Sequence, residues 1–479
     1  MIGGGIHGVA VARDATLRGL RVVLVEAGDL ASGTSSRTSK LVHGGIRYLE
    51  TGEFGLVRDA LRERSILLRT ASAFVHPVSF LLPHYKGSGR SRAWVDLGIA
   101  LCSLLARGAP PELRSHGRVS SSEALSLEPG LDPSRLAGAS RFTDAQMEDA
   151  RLCVAFARDA ASEGLSVLTH TAVVGLMEGD GGWRASLRGG LDGAEREVRA
   201  RFVVNAAGPW AETVDRLGGA SGVLSRRTRG THVVVPAVTH GHALLLTSRR
   251  DGRVFFVLPW EKHSLIGTTD VDDDRPPEEV GPPAEDIRYL LEEAARALPG
   301  LRGVRPVRAF AGVRSLVRGG TARPWANARE HRIVQGRARI TLIGGKYTTH
   351  RSLAERVVDR IVESLGTRTR PCTTATRSVP DEAPAGRDPA ELTLPGGLAI
   401  GAAEVDCAVS HAFALRLDDV LLRRTRLWLD ARALRAAIEP TARWMAPRLG
   451  WSEERKKDEI DRVTAMLDQE SNAIEEAMR

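Results

Sequence analysis

The first 26 residues, MIGGGIHGVAVARDATLRGLRVVLVE, constrain the fold of this chain more than any other segment. Gly3, Gly5 and Gly8 form the pattern G-x-G-x-x-G, an apolar helical stretch follows, and RVVLVE reads as a strand that ends in Glu26. In a dinucleotide-binding turn the first glycine makes the tight bend, the second lets the backbone approach the diphosphate, and the third lets the helix pack on the strand. The helix N-terminus offers free N–H groups to the phosphates, and an acid about 20 residues further on binds the ribose hydroxyls. The segment therefore predicts a Rossmann-like unit that binds a dinucleotide.

Few residues precede the glycine motif of this unit. Only Met1 and Ile2 precede Gly3, whereas a central strand of a parallel sheet usually has about five or six residues. The pattern predicts either a true start upstream of residue 1, which we favour, or a very short first strand. If the chain folds as numbered, we expect a weakened affinity for the cofactor.

Composition excludes several classes of protein. A chain of 479 residues with 42% hydrophobic and 26% charged residues predicts two or three globular domains. The four cysteines are scattered without a C-x-x-C pair, which favours a reduced cytosolic compartment without disulfides, zinc or another metal. No secretory leader is visible, and no apolar run reaches the ~20 residues of a membrane span. The longest candidate, Trp94–Ala106, is predicted to be a core helix or an interfacial one.

The net charge is +8, and the positively charged residues are 61 arginines and only six lysines. The arginines are dispersed, without interleaved aromatic residues or an RNA-binding motif, so the pattern argues against nucleic acid as a partner. Because arginine has replaced lysine almost everywhere, Lys40 and Lys346 stand out as positions where a compact ammonium is required.

The stretch AGDLASGTSSRTSKLVHGGIRYLE, which follows the first unit, is the next candidate site. Its hydroxyls and backbone N–H groups suit a phosphate-bearing ligand, and Arg37 and Lys40 add positive charge. A plain flexible loop is the alternative. Since HGGIRYLE leads directly into the helical pattern GLVRDALRERSILLRTA, we favour a functional loop.

Further along the chain, predicted strands and helices alternate. Strands are predicted in LSVLTHTAVVGLMEG, WRASLRGG, RARFVVNAAGPWA, GTHVVVPAV, VFFVLPW and SLIGTTDV, and the middle group has the alternation of an antiparallel sheet. ARITLIGGKYTTH predicts a strand, a Gly-Gly turn and a second ligand-facing helix N-terminus between Gly344 and Thr349. A proline-rich linker follows, and the C-terminal region is predicted to be helical with breaks at Pro440 and Pro447.

Taken together, the motifs IGGGIHG, TSSRTSKLVHGGIRYLE, VVNAAGPWA, GTHVVVP, IGTTDV, AGVRSL and IGGKYTTHRSLAE resemble those of FAD-dependent glycerol-3-phosphate dehydrogenases. These belong to the larger family of D-amino-acid and glycine oxidases. The resemblance covers roughly residues 1–370 and implies an α/β fold in which a Rossmann-like FAD-binding domain is interleaved with an antiparallel-sheet substrate domain. The FAD-binding parts are predicted at about 1–75, 145–225 and 305–370, and the substrate parts at about 76–144 and 226–304. Residues 371–389 are predicted to be a linker and 390–479 a shortened C-terminal helical domain.

The resemblance implies a noncovalent FAD. His43 is open to either a flavin-side or a purely structural role. The residues that match cofactor-binding positions are Gly3, Gly5, Gly8, Glu26, Thr34, Ser35, Ser36, Lys40, Leu41, His43, Gly44, Gly45, Val173, Ala207, Gly208, Gly345, Lys346 and Thr348.

The resemblance also implies oxidation of sn-glycerol 3-phosphate to dihydroxyacetone phosphate. His232 is the candidate base, with a hydrogen-bonded strand histidine as the alternative, and Arg314 and Lys346 are expected to stabilise developing negative charge. Asp270 is expected to orient one of these cations. The residues that match substrate-binding positions are Arg47, Tyr48, Arg314, Arg329 and Asp270.

The implied electron acceptor is a membrane quinone, reached from a peripheral position on the cytoplasmic face of the cell membrane, and a homodimer is possible for the family. The C-terminal region departs from the longer bacterial members, because a stretch between LPGG and LLRRTRLW is absent. Two alternatives stay open: a flavin oxidase of the same fold that acts on an amine or hydroxy acid or uses O₂, and a truncated non-catalytic flavin-binding protein.

Overall fold

The structure is a computed structural model of the chain, and it describes residues 1–45, 54–87, 98, 116–219, 225–317, 331–379 and 390–479. Three predicted substrate residues, Arg47, Tyr48 and Arg329, lie outside the described residues, as does the stretch Trp94–Ala106 apart from Gly98. Within the described part of the chain, no helix combines the length and the apolar character that a membrane crossing requires.

The described residues form ten α-helices of at least seven residues and twenty strands. The helices are α1 (Ile6–Leu17), α2 (Phe54–Thr70), α3 (Ser121–Leu127), α4 (Asp149–Ala161), α5 (Ala211–Leu217), α6 (Ala284–Ala295), α7 (His350–Leu365), α8 (Ala402–His411), α9 (Ala431–Leu449) and α10 (Glu453–Met478). The strands are β1 (Val23–Val25), β2 (Leu41–Val42), β3 (Val75–Tyr85), β4 (His116–Val119), β5 (Leu136–Met147), β6 (Ser166–Leu168), β7 (Thr171–Gly179), β8 (Gly182–Gly189), β9 (Glu195–Ala200), β10 (Val203–Asn205), β11 (Ser225–Pro236), β12 (Ala243–Thr247), β13 (Val254–Trp260), β14 (His263–Gly267), β15 (Val271–Asp272), β16 (Arg308–Val317), β17 (His331–Gly336), β18 (Arg339–Gly344), β19 (Leu392–Thr393) and β20 (Ala399–Ile400).

The glycine motif lies at the centre of a mainly parallel sheet. Strands β6 and β1 pair on one side of it, and β10, β18 and β17 pair on the other. Ile2 joins the two halves through bridges to Val25 and Asn205, so the strand before Gly3 is represented by this one residue. Helices α1 and α7 bury an apolar cluster against β10 and β18. An antiparallel meander of β7, β8 and β9 adjoins this sheet and brings Val173 to the cavity described below.

A second, larger sheet has the strand order β15-β11-β14-β13-β12-β3-β5-β2, with β16 beside β11 and β4 beside β5. Nearly all of its pairs are antiparallel, as the alternating sequence pattern predicts. Strands β11 and β16 pair over ten residues, from Ser225 opposite Val317 to Val234 opposite Arg308. This long pairing makes β16 a strand of the large sheet. The predicted division into domains stays a prediction.

The two faces of the large sheet have different roles, and β13 illustrates how the sequence assigns them. Successive side chains of a strand point to opposite faces. Phe255 and Val257 are buried in an apolar core with Ile287 of α6, whereas Val254 and Phe256 line the cavity. The alternating sequence VFFVLPW thus builds a core on one face and a cavity wall on the other.

The C-terminal region packs α8, α9 and α10 against the apolar core of the large sheet. The predicted breaks at Pro440 and Pro447 are wrong, because α9 continues through both prolines. A proline inside a helix costs about 3 kcal/mol, but most helical stability in proteins comes from tertiary packing. Here Leu434, Ile438 and Met445 bury one face of α9. Asp430 is the N-cap residue of α9, and its carboxylate accepts the backbone N–H of Arg432.

The predicted linker is docked along its described part, residues 371–379. The backbone N–H of Val379 donates to the carbonyl oxygen of Thr70 at 2.7 Å, and Arg377 pairs with Asp159 at the end of α4. Residues 380–389 lie outside the described residues.

Candidate FAD and substrate site

One cavity of about 1320 Å³ runs between the parallel sheet and the large sheet. It is lined by the glycine motif, the loop after β1, strands of the large sheet and the turn before α7. Segments from distant parts of the chain line it, so a ligand here contacts both predicted halves of the catalytic domain.

The glycine motif has the close packing that the sequence predicts. Gly3 has a φ of +102°, and a Cβ there would lie 2.6 Å from the carbonyl oxygen of Ala206. A Cβ on Gly8 would lie only 1.9 Å from the carbonyl oxygen of Gly3, so α1 approaches the turn as closely as backbone atoms allow. Gly3 and Gly5 line the cavity, whereas Gly8 lies behind it and sets the helix position.

Glu26 also lines the cavity, at the end of β1. Its carboxylate accepts the backbone N–H groups of Gly4 at 2.5 Å and Gly28 at 2.8 Å. Burial raises the pKa of Glu26, and these two hydrogen bonds oppose the increase. The acid is therefore held in a fixed orientation at the position where the motif places a ribose-binding carboxylate.

The loop after β1 links the glycine motif to β16. The hydroxyl of Ser35 accepts the backbone N–H of Ile6 at 2.9 Å and so satisfies one free donor at the N-terminus of α1. The hydroxyl of Thr34 donates to the carbonyl oxygen of Val313 on β16. Among the predicted cofactor residues, the following line the cavity: Gly3, Gly5, Glu26, Thr34, Ser35, Leu41, His43, Gly45, Val173, Ala207, Gly208, Gly345, Lys346 and Thr348.

Lys40 is placed differently from the prediction that it binds the cofactor. Its ammonium donates to the Asp149 carboxylate at 2.5 Å and to the Ser36 carbonyl at 2.6 Å, and lies 4.4 Å from the centre of the Trp428 ring. Burial lowers the pKa of Lys40, and Asp149 opposes that shift. Lys40 thus supports the loop from the side away from the cavity. It is not among the described residues that line the cavity wall.

Two further predicted cofactor residues, Ser36 and Gly44, also lie behind the wall. The Ser36 carbonyl holds Lys40, and the backbone N–H of Gly44 donates to the Asp144 carboxylate at 3.1 Å. A Cβ on Gly44 would lie 2.5 Å from Leu61, so this glycine allows close packing on α2. The sequence pattern identified the loop but could not show which of its residues line the cavity.

The turn before α7 forms another part of the cavity wall. Gly345 has a φ of +97°, and a Cβ there would lie 2.5 Å from the His7 ring, so the turn packs directly on the start of α1. The Tyr347 hydroxyl donates to the carbonyl oxygen of Asp149. Burial raises the pKa of Tyr347 well above its usual value, so the phenol stays protonated. Lys346 and Thr348 face the cavity between these fixed points.

Arg314 is the predicted substrate residue that lies clearly on the cavity wall. Its guanidinium donates to the Asp270 carboxylate at 3.2 Å and to the Thr268 hydroxyl at 2.9 Å. A Cβ on Gly230 would lie 2.2 Å from this guanidinium, so the neighbouring strand must present a glycine here. Asp270 is buried behind Arg314 and does not itself line the cavity. Its link to the cavity is the ion pair with Arg314.

His232, the predicted base, lies one hydrogen bond behind the wall. Its Nε2 is 2.9 Å from the hydroxyl oxygen of Ser39, and Ser39 lines the cavity. The His232 ring stacks on Phe310 with 5.1 Å between the ring centres. Burial, followed by the charges of Arg314 and Lys40, lowers the pKa of His232 well below its usual value. The imidazole is therefore neutral near pH 7 and retains a nitrogen that can accept a proton.

Several lining residues were not predicted from sequence. They are the polar residues Ser39 and Thr268, the indole of Trp210, and an apolar wall of Phe80, Leu82, Phe142, Leu245 and Phe256. Arg37, which the sequence analysis named as a positive charge of the loop after β1, also lines the cavity. Arg37 and Ser39 belong to the loop that the sequence analysis identified. Their position in the chain close to Thr34 and Ser35 therefore indicates that they lie near the ligand. The apolar wall has no such local signal, because its members come from four strands that meet only in the folded sheet.

Comparison with known proteins identifies the family of this chain. Residues 1–341 match the family described as FAD dependent oxidoreductase, and residues 330–456 match the C-terminal domain of alpha-glycerophosphate oxidase. The chain belongs to the FAD-dependent oxidoreductase family. The predicted FAD, the predicted class of enzyme and the predicted α/β fold with a helical C-terminal region are thereby confirmed.

Individual relatives agree. Glycerol-3-phosphate dehydrogenase 2 of Mycobacterium tuberculosis (strain ATCC 25618 / H37Rv) is 36% identical, over 97% of this chain and 86% of the relative. D-erythritol 1-phosphate dehydrogenase of Brucella abortus (strain 2308) is 40% identical, over 75% of this chain and 72% of the relative. The structure of glycerol-3-phosphate dehydrogenase from Bacillus halodurans complexed with FAD has a TM-score of 0.77 and 24% identity, over 97% of this chain and 93% of that one. The predicted resemblance to glycerol-3-phosphate dehydrogenases is confirmed, and the last comparison supports the fold.

The cavity fits FAD on its own geometry. The two turns that line it depend on glycine, because a Cβ on Gly3 would meet the carbonyl oxygen of Ala206 at 2.6 Å and one on Gly345 would meet the His7 ring at 2.5 Å. Glu26 and Ser35, which are fixed by hydrogen bonds next to the start of α1, line the cavity, as do Lys346 and Thr348 of the turn before α7. One cavity is therefore lined by all four residues.

Proposed function

We propose that this protein oxidises sn-glycerol 3-phosphate to dihydroxyacetone phosphate with FAD as its cofactor. The observation that carries the proposal is that one cavity is lined both by the glycine motif and by two cationic residues, Arg314 and Lys346. Relatives named glycerol-3-phosphate dehydrogenase over nearly the whole chain support this substrate.

The substrate is a phosphate monoester of a small polyol, and such a dianion requires cationic partners. Arginine binds phosphate in a bidentate manner, with two parallel N–H donors. Arg314 is suited to this role because Asp270 and Thr268 fix the guanidinium without covering it, and 17% of its side chain remains exposed. We propose that Arg47, Tyr48 and Arg329, which lie outside the described residues, complete the substrate site.

The bound flavin supplies the acceptor for the hydride from C2, while the protein handles the proton of the C2 hydroxyl. We assign that proton to a pair of residues. The hydroxyl of Ser39 faces the cavity and His232 lies 2.9 Å behind it, so Ser39 passes the proton inward as it accepts one from the alcohol. Arg314 and Lys346 stabilise negative charge that develops at the alcohol oxygen.

A longer polyol phosphate is the second candidate substrate. D-erythritol 1-phosphate dehydrogenase of Brucella abortus has 40% identity to this chain, compared with 36% for the mycobacterial relative, although over a shorter region. Both substrates present a secondary alcohol near a phosphate ester, so the same cations and the same proton acceptor serve either one.

We propose a membrane quinone as the electron acceptor, reached from a peripheral position on the cytoplasmic face of the cell membrane, and a homodimer in the manner of the family. The net charge of +8 supports this position, because anionic lipid attracts each nearby Lys or Arg by about 1 kcal/mol. Binding to anionic liposomes at low salt, lost at high salt, is the expected result. The absence of binding at low salt would remove the peripheral assignment.

The decisive experiment is an anaerobic titration of the purified holoprotein with sn-glycerol 3-phosphate, followed by the loss of oxidised-flavin absorbance. Erythritol 1-phosphate, glycerol and a D-amino acid are the comparison compounds. Bleaching by sn-glycerol 3-phosphate at the lowest concentration supports the proposal, and preferential bleaching by erythritol 1-phosphate supports the second candidate. Bleaching by the amino acid alone would overturn both and favour an amine oxidase. Subsequent admission of air tests the acceptor, because hydrogen peroxide formed in step with substrate would identify O₂.

A further inference from the structure

The carboxylate of Asp29 adjoins the cavity wall, although the proposed reaction does not use it. Gly28 and Ser32, on either side of it in the turn after β1, both line the cavity, whereas Asp29 is not among the described lining residues. Its side chain has no exposed surface, and its backbone carbonyl accepts the N–H of Ser32 at 3.1 Å. The position of Asp29 therefore determines the course of a turn that forms part of the cavity wall.

Two consecutive arginines of the C-terminal region bind this carboxylate. Both terminal nitrogens of Arg424 donate to Asp29, at 2.6 and 2.8 Å, and Nε of Arg423 donates to it at 2.5 Å. All three side chains are at most 6% exposed. Burial by itself would raise the pKa of Asp29, but the charges of Arg424 and Arg423 outweigh burial and lower this pKa below its usual value. Asp29 is therefore ionised, and its charge is balanced by arginines that lie 394 and 395 residues further along the chain.

The arginines and the turn belong to a larger set of contacts. Arg423 also donates to the Asp419 carboxylate at 2.7 Å, and Nε2 of His170 lies 2.9 Å from the same carboxylate. The backbone N–H of His170 donates to the carbonyl oxygen of Gly28 at 2.7 Å. Because Gly28 is the residue next to Asp29, these contacts form a closed circuit. The circuit joins the turn after β1 to the start of β7 and to residues 417–424.

The same turn holds the acid of the dinucleotide motif. The N–H of Gly28 donates to the Glu26 carboxylate at 2.8 Å, and the N–H of Thr171 donates to the Glu26 carbonyl oxygen at 2.8 Å. Glu26, Gly28 and Thr171 all line the cavity. The two arginines are not among the described lining residues, so they reach a ligand in the cavity through Asp29 and this turn.

We propose that Arg423 and Arg424 are positioning residues of the FAD site. By holding Asp29 they fix the turn that presents Glu26 to the ribose of the cofactor. Binding of FAD and docking of residues 417–424 then stabilise each other, because a coupling between two sites is reciprocal. The inference concerns the cofactor alone and is independent of the substrate and of the electron acceptor.

The test compares Arg424→Gln, which removes the charge and the bidentate contact, with Arg424→Lys, which keeps a cation without the planar fork. Glu470→Gln is the matched control, because Glu470 of α10 forms a buried ion pair with Arg308 of β16 at 2.6 Å. It also neutralises the C-terminal partner of a buried ion pair, but that pair joins α10 to β16 and not to the turn after β1. The dissociation constant of FAD is measured on each full-length apoprotein from the change in FAD fluorescence, together with the thermal midpoint of that apoprotein.

We expect the FAD dissociation constant to rise about tenfold or more in Arg424→Gln, since hydrogen bonds between charged groups are lost. The rise should be smaller in Arg424→Lys, and the constant should be unchanged in Glu470→Gln even though its thermal midpoint falls. A constant in Arg424→Gln equal to that of the wild type would overturn the inference. An equal rise in Glu470→Gln would also overturn it, because any loosening of the C-terminal region would then have the same effect.

A measurement on the wild type keeps the inference testable if Arg424→Gln does not fold. Amide hydrogen exchange is followed in the apoprotein and in the holoprotein, in peptides that cover residues 417–424 and residues 467–474. Such peptides report the local opening of each segment separately. FAD should slow exchange more strongly in residues 417–424 than in residues 467–474, the segment that contains Glu470. Equal slowing in both segments would overturn the coupling.

Discussion

The Nε2 atom of His232 lies 2.9 Å from the hydroxyl oxygen of Ser39, and only the serine of this pair lines the cavity. Ser39 is part of the loop after β1, whereas His232 belongs to β11 of the large sheet. The hydrogen bond therefore connects the cofactor side of the molecule with the substrate side. It gives a buried imidazole access to the ligand through a single hydroxyl group.

From this pair we expect His232→Ala to lower the rate of hydride transfer by about 10²-fold or more, the usual range for loss of a general base. Ser39→Ala should lower the same rate, because the imidazole then loses its connection to the cavity. Anaerobic stopped-flow reduction of the flavin by sn-glycerol 3-phosphate measures both. Ser162→Ala, on an exposed turn after α4, is the control. A change of only a few-fold in His232→Ala would remove the histidine from proton transfer, and an unaffected Ser39→Ala would remove the relay.

For Arg314 we expect Arg314→Ala to abolish turnover while the protein keeps its FAD. The variant loses the cation that the Asp270 carboxylate orients at 3.2 Å, but it leaves the glycine motif untouched. Turnover and the flavin-to-protein absorbance ratio are measured together. Arg226→Ala is a suitable control, since this arginine lies on the adjacent β11 and pairs with the partly exposed Asp272. Normal turnover in Arg314→Ala would place this arginine outside the active site.

The packing of α1 gives a third prediction. Gly8→Ala would place a Cβ 1.9 Å from the carbonyl oxygen of Gly3, where two segments of backbone must separate. We expect a loss of about 3 kcal/mol or more in the free energy of unfolding, together with weaker FAD binding. A Cβ added to Gly179, at the end of β7, would have no atom within 4 Å. Gly179→Ala should therefore change the free energy of unfolding by about 0.5 kcal/mol or less. Denaturant unfolding of the two variants makes the comparison, and equal stabilities would contradict it.

The acid sensitivity of the fold gives a fourth prediction. Burial lowers the pKa of His350 to about 3, although its Nδ1 lies 2.6 Å from the carbonyl oxygen of Tyr347. Between that value and the ordinary histidine pKa, the unfolded chain binds a proton that the folded chain does not. Stability contributed by this residue is therefore present above pH 6.5 and is lost as the pH falls toward 3, by up to about 1.4 kcal/mol for each pH unit.

Urea unfolding of the wild type at pH 7, 6 and 5 measures this slope. His350→Gln should have a shallower loss of stability over the same range, because the titrating group is gone. His116→Gln, at an exposed position on β4, provides the same substitution without the burial. A slope in His350→Gln equal to that of the wild type would show that other groups determine the acid response.

The parts of the site that could be read from sequence are those in which a short segment fixes its own geometry. Gly3, Gly5 and Glu26 line the cavity as predicted, because the turn, the helix start and the acid are all specified within one β-α-β unit. The loop from Thr34 to Gly45 was identified for the same reason.

Residues whose role depends on their neighbours were less predictable. Lys40 is unusual in sequence, but only the fold brings Asp149 and Trp428 to its ammonium and turns it away from the cavity. Pro440 predicts a break in isolation, but the buried face of α9 outweighs the loss of one hydrogen bond.

The sequence by itself therefore determined the family, the cofactor and the segments that surround it, since glycine spacing and strand patterns act over a few residues. Only the tertiary structure decided which side chains face the ligand. It placed Ser39 in front of His232 and assembled an apolar wall from four strands. The physical reason is that these contacts form between segments far apart in the chain, and their geometry depends on how two sheets pack together.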